Sequence, residues 1–206
     1  MIRSLLLGSA FAALVSFAAL ASASAQVSTT SPAKVPAGTY KVEPYHTRIL
    51  FAVSHMGFTT WYGNFSDASG TLTFDSKAPA KSALDISFPT ASVSTTNTKL
   101  DGELKSPMWF DATQYPTITF KSTKVTVTGH DRGIIEGDLT FHGQTHPVKL
   151  LAHFNGGGTN PLDKAYTIGF NASGTLSRAA WGVKTYEPLI GDTVGLILSG
   201  AFELQK

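Results

Sequence analysis

Val194-Gly195-Leu196-Ile197-Leu198-Ser199-Gly200-Ala201-Phe202-Glu203-Leu204 alternates as a strand with one buried side does. Val194, Leu196, Leu198, Gly200, Phe202 and Leu204 fall on one face, and Gly195, Ile197, Ser199, Ala201 and Glu203 on the other. Successive strand side chains point to opposite faces, so this period of two predicts a half-buried strand. Ten residues in that conformation span about 34 Å, which is long for a globular strand.

Working outward, the same signature recurs along the chain. Tyr40-Lys41-Val42, Ile49 to Ser54, Leu72-Thr73-Phe74, Leu84 to Phe88 and Ile118-Thr119-Phe120 alternate or are rich in β-branched and aromatic residues. So are Val125-Thr126-Val127, Leu139-Thr140-Phe141, Val148 to Phe154 and Tyr166 to Leu176. Gly, Asn, Asp and Pro separate them at short intervals, and Gly156-Gly157-Gly158-Thr159-Asn160-Pro161 reads as a loop. The rhythm predicts an all-β chain, an antiparallel sandwich or barrel. Strands this long make a tall barrel, and an interior wide enough for one ligand suits an elongated apolar molecule.

One insert breaks the pattern. Thr98-Lys99-Leu100-Asp101-Gly102-Glu103-Leu104-Lys105-Ser106-Pro107 reads as one or two helical turns. Thr98 with Asp101 resembles a capping box, Leu100 and Leu104 share a face, and Pro107 forbids continuation. Gly102 inside it costs about 1 kcal/mol relative to Ala, so packing must hold this helix. Met108, Trp109 and Phe110 follow as anchors, and the whole reads as a plug or seal over one barrel end.

The first residues predict an address. Arg3, the uncharged run Leu5 to Leu20 and the small-x-small Ala23-Ser24-Ala25 describe a secretory signal peptide over residues 1–25, cleaved after Ala25 into the periplasm. Residues 26–37 are rich in Ser, Thr, Pro and Ala and read as a flexible tail before a single domain at 38–206. Of 16 basic and 14 acidic residues, the leader holds only Arg3, so the remainder is nearly neutral, with neither a nucleic-acid footprint nor a polybasic lipid patch. The apolar leader is shorter than a spanning helix requires and no other run approaches that length, so no stable membrane insertion is expected. There is no cysteine, which removes disulfides, thiol chemistry, thiolate zinc and a lipoprotein anchor.

The chemistry-bearing residues are sparse. His46, His55, His130, His142, His146 and His153 lack metal-ligand spacing, and His142 and His146 flank the turn Gly143-Gln144, where histidines are usually solvated. No nucleophile elbow or phosphate loop occurs, and neither a catalytic nor a metal residue is assigned. His55, at a strand end, and Arg178 are candidates for contacts with a ligand head group; Arg178 would otherwise stack on Trp181 or pair with an acid. Asp101 is explained as a cap.

Taken in order from Tyr40 to Leu204, these residues resemble the YceI-like family of exported, lipocalin-like polyisoprenoid-binding proteins. The resemblance rests on Tyr40-Lys41-Val42 with His46, His55-Met56-Gly57, Gly63-Asn64-Phe65, Gly70 with Phe74-Asp75, and Ala91 to Thr95. It continues through Leu100-Asp101, Leu104, Ser106, Phe110, Tyr115-Pro116, Thr119 to Ser122, Gly137 to Thr140, Gly143, Thr145 and Pro147-Val148. Gly169-Phe170, Arg178 with Trp181-Gly182, and Gly191-Asp192 with Val194 complete the set. Trp109, Trp181, Gly102 and His146 depart from the family pattern, and the two tryptophans would narrow a tunnel. The resemblance implies an extended barrel of about eight strands with one or two short helices. It also implies a non-enzymatic carrier for a polyprenyl phosphate, an isoprenoid quinone or a similar amphiphile, in transport, storage or stress response, with no cofactor beyond that non-covalent lipid.

The expected tunnel lining is Phe51, Val53, Phe65, Leu72, Ile86, Phe88, Met108, Trp109, Phe110, Phe120, Phe141, Phe170 and Trp181. A homodimer is compatible with the composition but not demanded by it. Two rival readings are an enzyme acting on an isoprenoid or lipid head group through His55 or the Asp101 region, and a small outer-membrane barrel. Against the second stand Lys121, Lys124, Glu136 and Lys149 within strands and the ending Leu204-Gln205-Lys206.

Overall fold

Every strand edge carries backbone groups that must find partners, and a closed barrel satisfies them all. The computed structural model describes residues 28–206. It contains β1 (Gly38–His55), β2 (Thr59–Phe65), β3 (Ser69–Phe74), β4 (Ala83–Pro89), β5 (Thr117–Val127), β6 (Arg132–Phe141), β7 (Gln144–Thr159), β8 (Tyr166–Ser177) and β9 (Ile190–Leu204). One α-helix, α1 (Thr98–Lys105), is present among the described residues, with four short 3₁₀ turns.

Strands β3 to β9 pair antiparallel in sequence order, and β1 pairs with both β3 and β9, closing eight strands into a barrel. The extra strand, β2, arises because β1 is long enough to divide one edge. Gly38–Lys41 pair with β3, whereas Ile49–His55 pair with β2. Between these halves β1 is interrupted from Glu43 to Arg48, where Pro44 offers no N–H. The Glu43 carboxylate there accepts from the Tyr45 and His46 amides, and Thr47 Oγ1 donates to Glu43 O.

The barrel is the fold implied by the alternation, but its segmentation differs from the sequence reading. Tyr40–Val42 and Ile49–Ser54 are one strand, as are Ile118–Phe120 and Val125–Val127. Strand β2 was not foreseen, because Gly63 and Asn64 disguise it. The three glycines at 156–158 belong to β7 and are buried, so the loop begins at Asn160. The leader and its cleavage site lie outside the described residues. In the described part of the expected tail, Thr29 pairs with Gly157, Val35 is buried, and Tyr40 Oη donates to Pro36 O at 2.7 Å. Val35 is the apolar side chain this segment buries. Burial, with the Tyr166 phenol nearby, pushes the Tyr40 hydroxyl up to about 12.

Helix α1 runs two turns. Its cap is Asn97, one residue earlier than the sequence suggested: Oδ1 accepts from the Lys99 and Leu100 amides at 3.1 and 3.2 Å. Asp101 does not cap; its Oδ1 accepts from Thr95 N and Thr95 Oγ1 at 2.6 and 2.7 Å. Burial alone would raise the Asp101 carboxyl, but these bonds outweigh it and hold it below the usual range. Leu104 is buried, and Pro107 follows the last turn as expected.

Candidate functional site

Inward faces of the long strands enclose a cavity of about 380 Å³. On β9 the face that the alternation picked out lines it through Val194, Leu196, Leu198, Gly200 and Phe202, joined by Ile190 and Ser199. Of the residues expected to line a tunnel, Phe51 and Val53 on β1, Phe65 on β2, Leu72 on β3, Ile86 and Phe88 on β4, Phe120 on β5, Phe141 on β6 and Phe170 on β8 reach it. Trp109 and Phe110, after α1, do too.

Two expected lining residues do not. Met108 is 60% exposed, and its carbonyl accepts from Thr185 Oγ1, because the turn after Pro107 points it outward. Trp181 is 2% exposed and packs against Phe120, Val148 and Leu150, which line the cavity, without lining it itself. Its Nε1 donates to Leu139 O at 3.1 Å, and the His146 ring meets it edge-on at 5.1 Å. Accordingly His142 and His146 are half-buried rather than solvated. His142 occupies the turn itself with Gly143, both at positive φ, and its Nδ1 lies 2.9 Å from Trp181 O.

Glycine shapes the wall where aromatic rings need space. Phe51 pairs across the ladder with Gly63, and a Cβ on Gly63 would overlap its ring. Gly137 plays the same part beneath Phe120, and a Cβ there would also lie 2.6 Å from Lys121 O. Phe51, Phe65, Phe88, Phe110 and Phe141 form a connected run of rings with centroids 5.2–6.0 Å apart. This run and α1 close one end of the cavity, with Leu100, Glu103 and Leu104 lining it from the helix. Tyr62 and Tyr186 line the cavity while each is 58% exposed, so the wall meets solvent between β2 and the β8–β9 loop.

The polar groups are few and mostly engaged. Arg178 is buried, and all three of its guanidinium nitrogens donate to backbone carbonyls: Nε to Gly191, Nη1 to Val183 and Nη2 to Ile190, at 2.7–2.9 Å. Burial pulls its pKa below the ordinary value, against the pull of Glu187 and Asp192. It lies over the ring of Trp109, not of Trp181 as one reading of the sequence had it. Arg48 likewise gives Nη1 to Pro44 O and Thr47 O. His55 lines the cavity and tilts against Trp61, with ring centroids 5.7 Å apart.

Chemically, the chamber can hold apolar chain and little else. Among the described residues no hydrogen bond joins His55 to a carboxylate, and Asp101 is committed to Thr95, so no oriented acid–base pair is present there. Among the same residues no group of three or more His, Asp or Glu side chains could hold a metal, and no helix is long and apolar enough to cross a membrane. Lys121, Lys124 and Lys149 face solvent, while the lining is apolar; a membrane barrel has the opposite polarity.

Leu100, Leu104, Trp61 and the β9 face were missing from the expected lining. The signal for β9 and α1 was present in their periodicity; for Trp61 it was the β-forming run Thr59-Thr60-Trp61-Tyr62, masked by the following glycine.

The sequence matches the YceI-like domain over residues 40–202. It is 37% identical to Protein YceI of Shigella flexneri over 165 residues, covering 79% of this chain and 85% of that protein. The fold is similar to a YceI protein of Campylobacter jejuni, with TM-score 0.66 and 28% identity over 74% of this chain and 90% of the other. It also resembles a polyisoprenoid-binding domain of Saccharophagus degradans, with TM-score 0.62 and 15% identity over 81% and 98% of the two chains.

Proposed function

From the premise that this chain belongs to the YceI-like family, we propose that it is an exported, non-enzymatic carrier that holds a long isoprenoid or similar amphiphilic lipid within its barrel. The observation that carries this reading is the 380 Å³ chamber walled by aliphatic and aromatic side chains, with both nearby arginines committed to backbone carbonyls. The similarity in fold to a polyisoprenoid-binding domain supports it. Burying apolar chain stabilises a complex by about 25 cal/mol per Å². Such a wall discriminates weakly, since one methylene is worth only about 1 to 3 kcal/mol. The carrier is therefore permissive toward chain chemistry, and its head-group contacts fall to the groups at the rim, His55 among them. Polyprenyl phosphates and isoprenoid quinones are the candidate cargo, and transport, storage or stress response in the periplasm the setting.

Native mass spectrometry with organic extraction, on protein purified without detergent, tests the reading. Co-purification or uptake of a prenyl quinone or polyprenyl phosphate is expected, and the same spectra report whether one chain or two carry it. Protein that is consistently empty and takes up neither probe would sink the proposal.

A further inference from the structure

The inner end of the chamber is defined by a layer to which five strands contribute one residue each: Leu72 of β3, Leu84 of β4, Ile135 of β6, Ala152 of β7 and Phe170 of β8. These five residues line both the main cavity and a second one of about 100 Å³. The register shows that the second cavity lies beyond the first along the barrel. Stepping two residues past the layer, from Leu72 to Phe74, from Ile135 to Gly133 and from Ala152 to Phe154, reaches residues that line only the smaller chamber. Stepping the other way, from Ala152 to Leu150 and from Phe170 to Ala172, reaches residues that line only the larger.

Phe170 is the one aromatic side chain in this layer. Its ring meets Phe154 at 5.3 Å, Phe202 at 6.1 Å and Phe74 at 6.2 Å, all edge-on, so neighbours on three strands hold it across the barrel. Its ladder partner on β9 is Gly200, and the Phe202 ring packs over the place where a Cβ on that glycine would lie, so Phe202 backs Phe170 at this level. The smaller chamber is bounded at its outer side by His130, Asp131 and Arg132, with Asp131 Oδ2 2.9 Å from His153 Nε2. Its apolar walls thus continue the tunnel, while its outer end is polar.

Resting on the carrier reading above, we propose that Phe170 is the floor of the lipid site and sets the longest apolar chain that the protein accepts. The second chamber is additional tunnel, closed to the chain by that ring. With the Phe170 ring in place a chain cannot reach the apolar walls beyond it, so lengthening it past that point adds no affinity.

The test titrates folded protein with farnesol, geranylgeraniol and solanesol and records the chain length at which Kd stops improving. Each isoprene unit that enters the wild-type chamber should improve Kd by more than about tenfold, and units beyond the floor should add nothing. Phe170→Leu keeps the layer apolar and is expected to move the limit to a longer chain, whereas Phe170→Trp moves it to a shorter one. An unmoved limit in either variant, shown to be folded by circular dichroism, overturns the proposal. Val127→Trp provides an arm that leaves the layer intact, since Val127 lines only the smaller chamber and is half exposed. It should leave the wild-type limit unchanged; a shortened limit would mean that chains already pass Phe170, which also overturns the proposal. Failure of wild-type protein to bind any of the three alcohols defeats the carrier reading itself, and is distinguishable from binding with an unmoved limit.

Discussion

The guanidinium carbon of Arg178 lies 5.6 Å from the ring centroid of Trp109, joining two segments that are distant in the chain. Trp109 lies just after α1, between Met108 and Phe110, and Arg178 opens the connection between β8 and β9. The contact brings the plug and the loop together over one end of the chamber, where Trp109 also meets Tyr186 at 6.1 Å. The arginine's charge is desolvated there, and three carbonyl dipoles together with the ring face stabilise it.

Arg178→Met should therefore be costly despite similar volume, because the carbonyls of Val183, Ile190 and Gly191 lose their donors at once. A loss of about 3 kcal/mol or more is expected in urea denaturation. A loss below about 0.5 kcal/mol would show that the loop does not depend on this clamp.

Gly137→Ala should destabilise by roughly 1–3 kcal/mol, since the new methyl must displace Phe120 and crowd Lys121 O. Displaced into the chamber, the Phe120 ring would also weaken binding of a prenyl alcohol. Thermal melting together with the titration checks both effects.

Gly102→Ala is expected to act in the opposite direction. A Cβ at this position of α1 meets nothing within 4 Å and the residue is not at positive φ, so the substitution should stabilise by about 0.5–1 kcal/mol. Urea denaturation showing no gain would mean that α1 is held wholly by Leu104 and its neighbours.

Asp192 links folding to pH. Its carboxylate accepts from Ala179 N at 2.8 Å and Ser177 Oγ at 2.9 Å, and chiefly the first of these holds its pKa below the ordinary value. The group is lower in the folded state than in the unfolded one. Its contribution is therefore fully present above about pH 4 and is lost as pH falls through the lowered folded value. Asp192→Asn should be less stable than the wild type at neutral pH and lose less stability on acidification. Parallel pH profiles for the two proteins would refute this.

Met108→Ser offers a contrast within the insert. The side chain is exposed, and the bond from Thr185 uses the backbone carbonyl, so stability should change by no more than about 0.5 kcal/mol and chain binding not at all. A binding loss in the titration would return Met108 to the lining.

Much of the barrel is legible in the alternation, because period two maps directly onto inside and outside once one face is buried. Phe51, Val53, Phe65 and Phe170 all sit on inward faces for this reason. Met108 and Trp181 were misplaced because they lie in turns, where no period assigns a direction. The helix cap was missed by one residue for a related reason: Thr98 and Asn97 are both good caps, and only the backbone geometry at Asn97 selects between them. The buried triglycine in β7 looked like a loop because composition alone does not show which backbone lies against it.

By itself, the sequence determined an antiparallel all-β chain with long two-faced strands, one short helix ended by Pro107, and membership of the YceI-like family. These are local matters of periodicity and turn chemistry, together with an ordered set of residues. Tertiary structure alone decided that β1 divides its edge between β2 and β3, that Arg178 is spent on three carbonyls beside Trp109, and that Phe170 lies between two chambers. Each of these depends on which strands become neighbours, and strand pairing joins residues whose separation along the chain carries no signal of their contact.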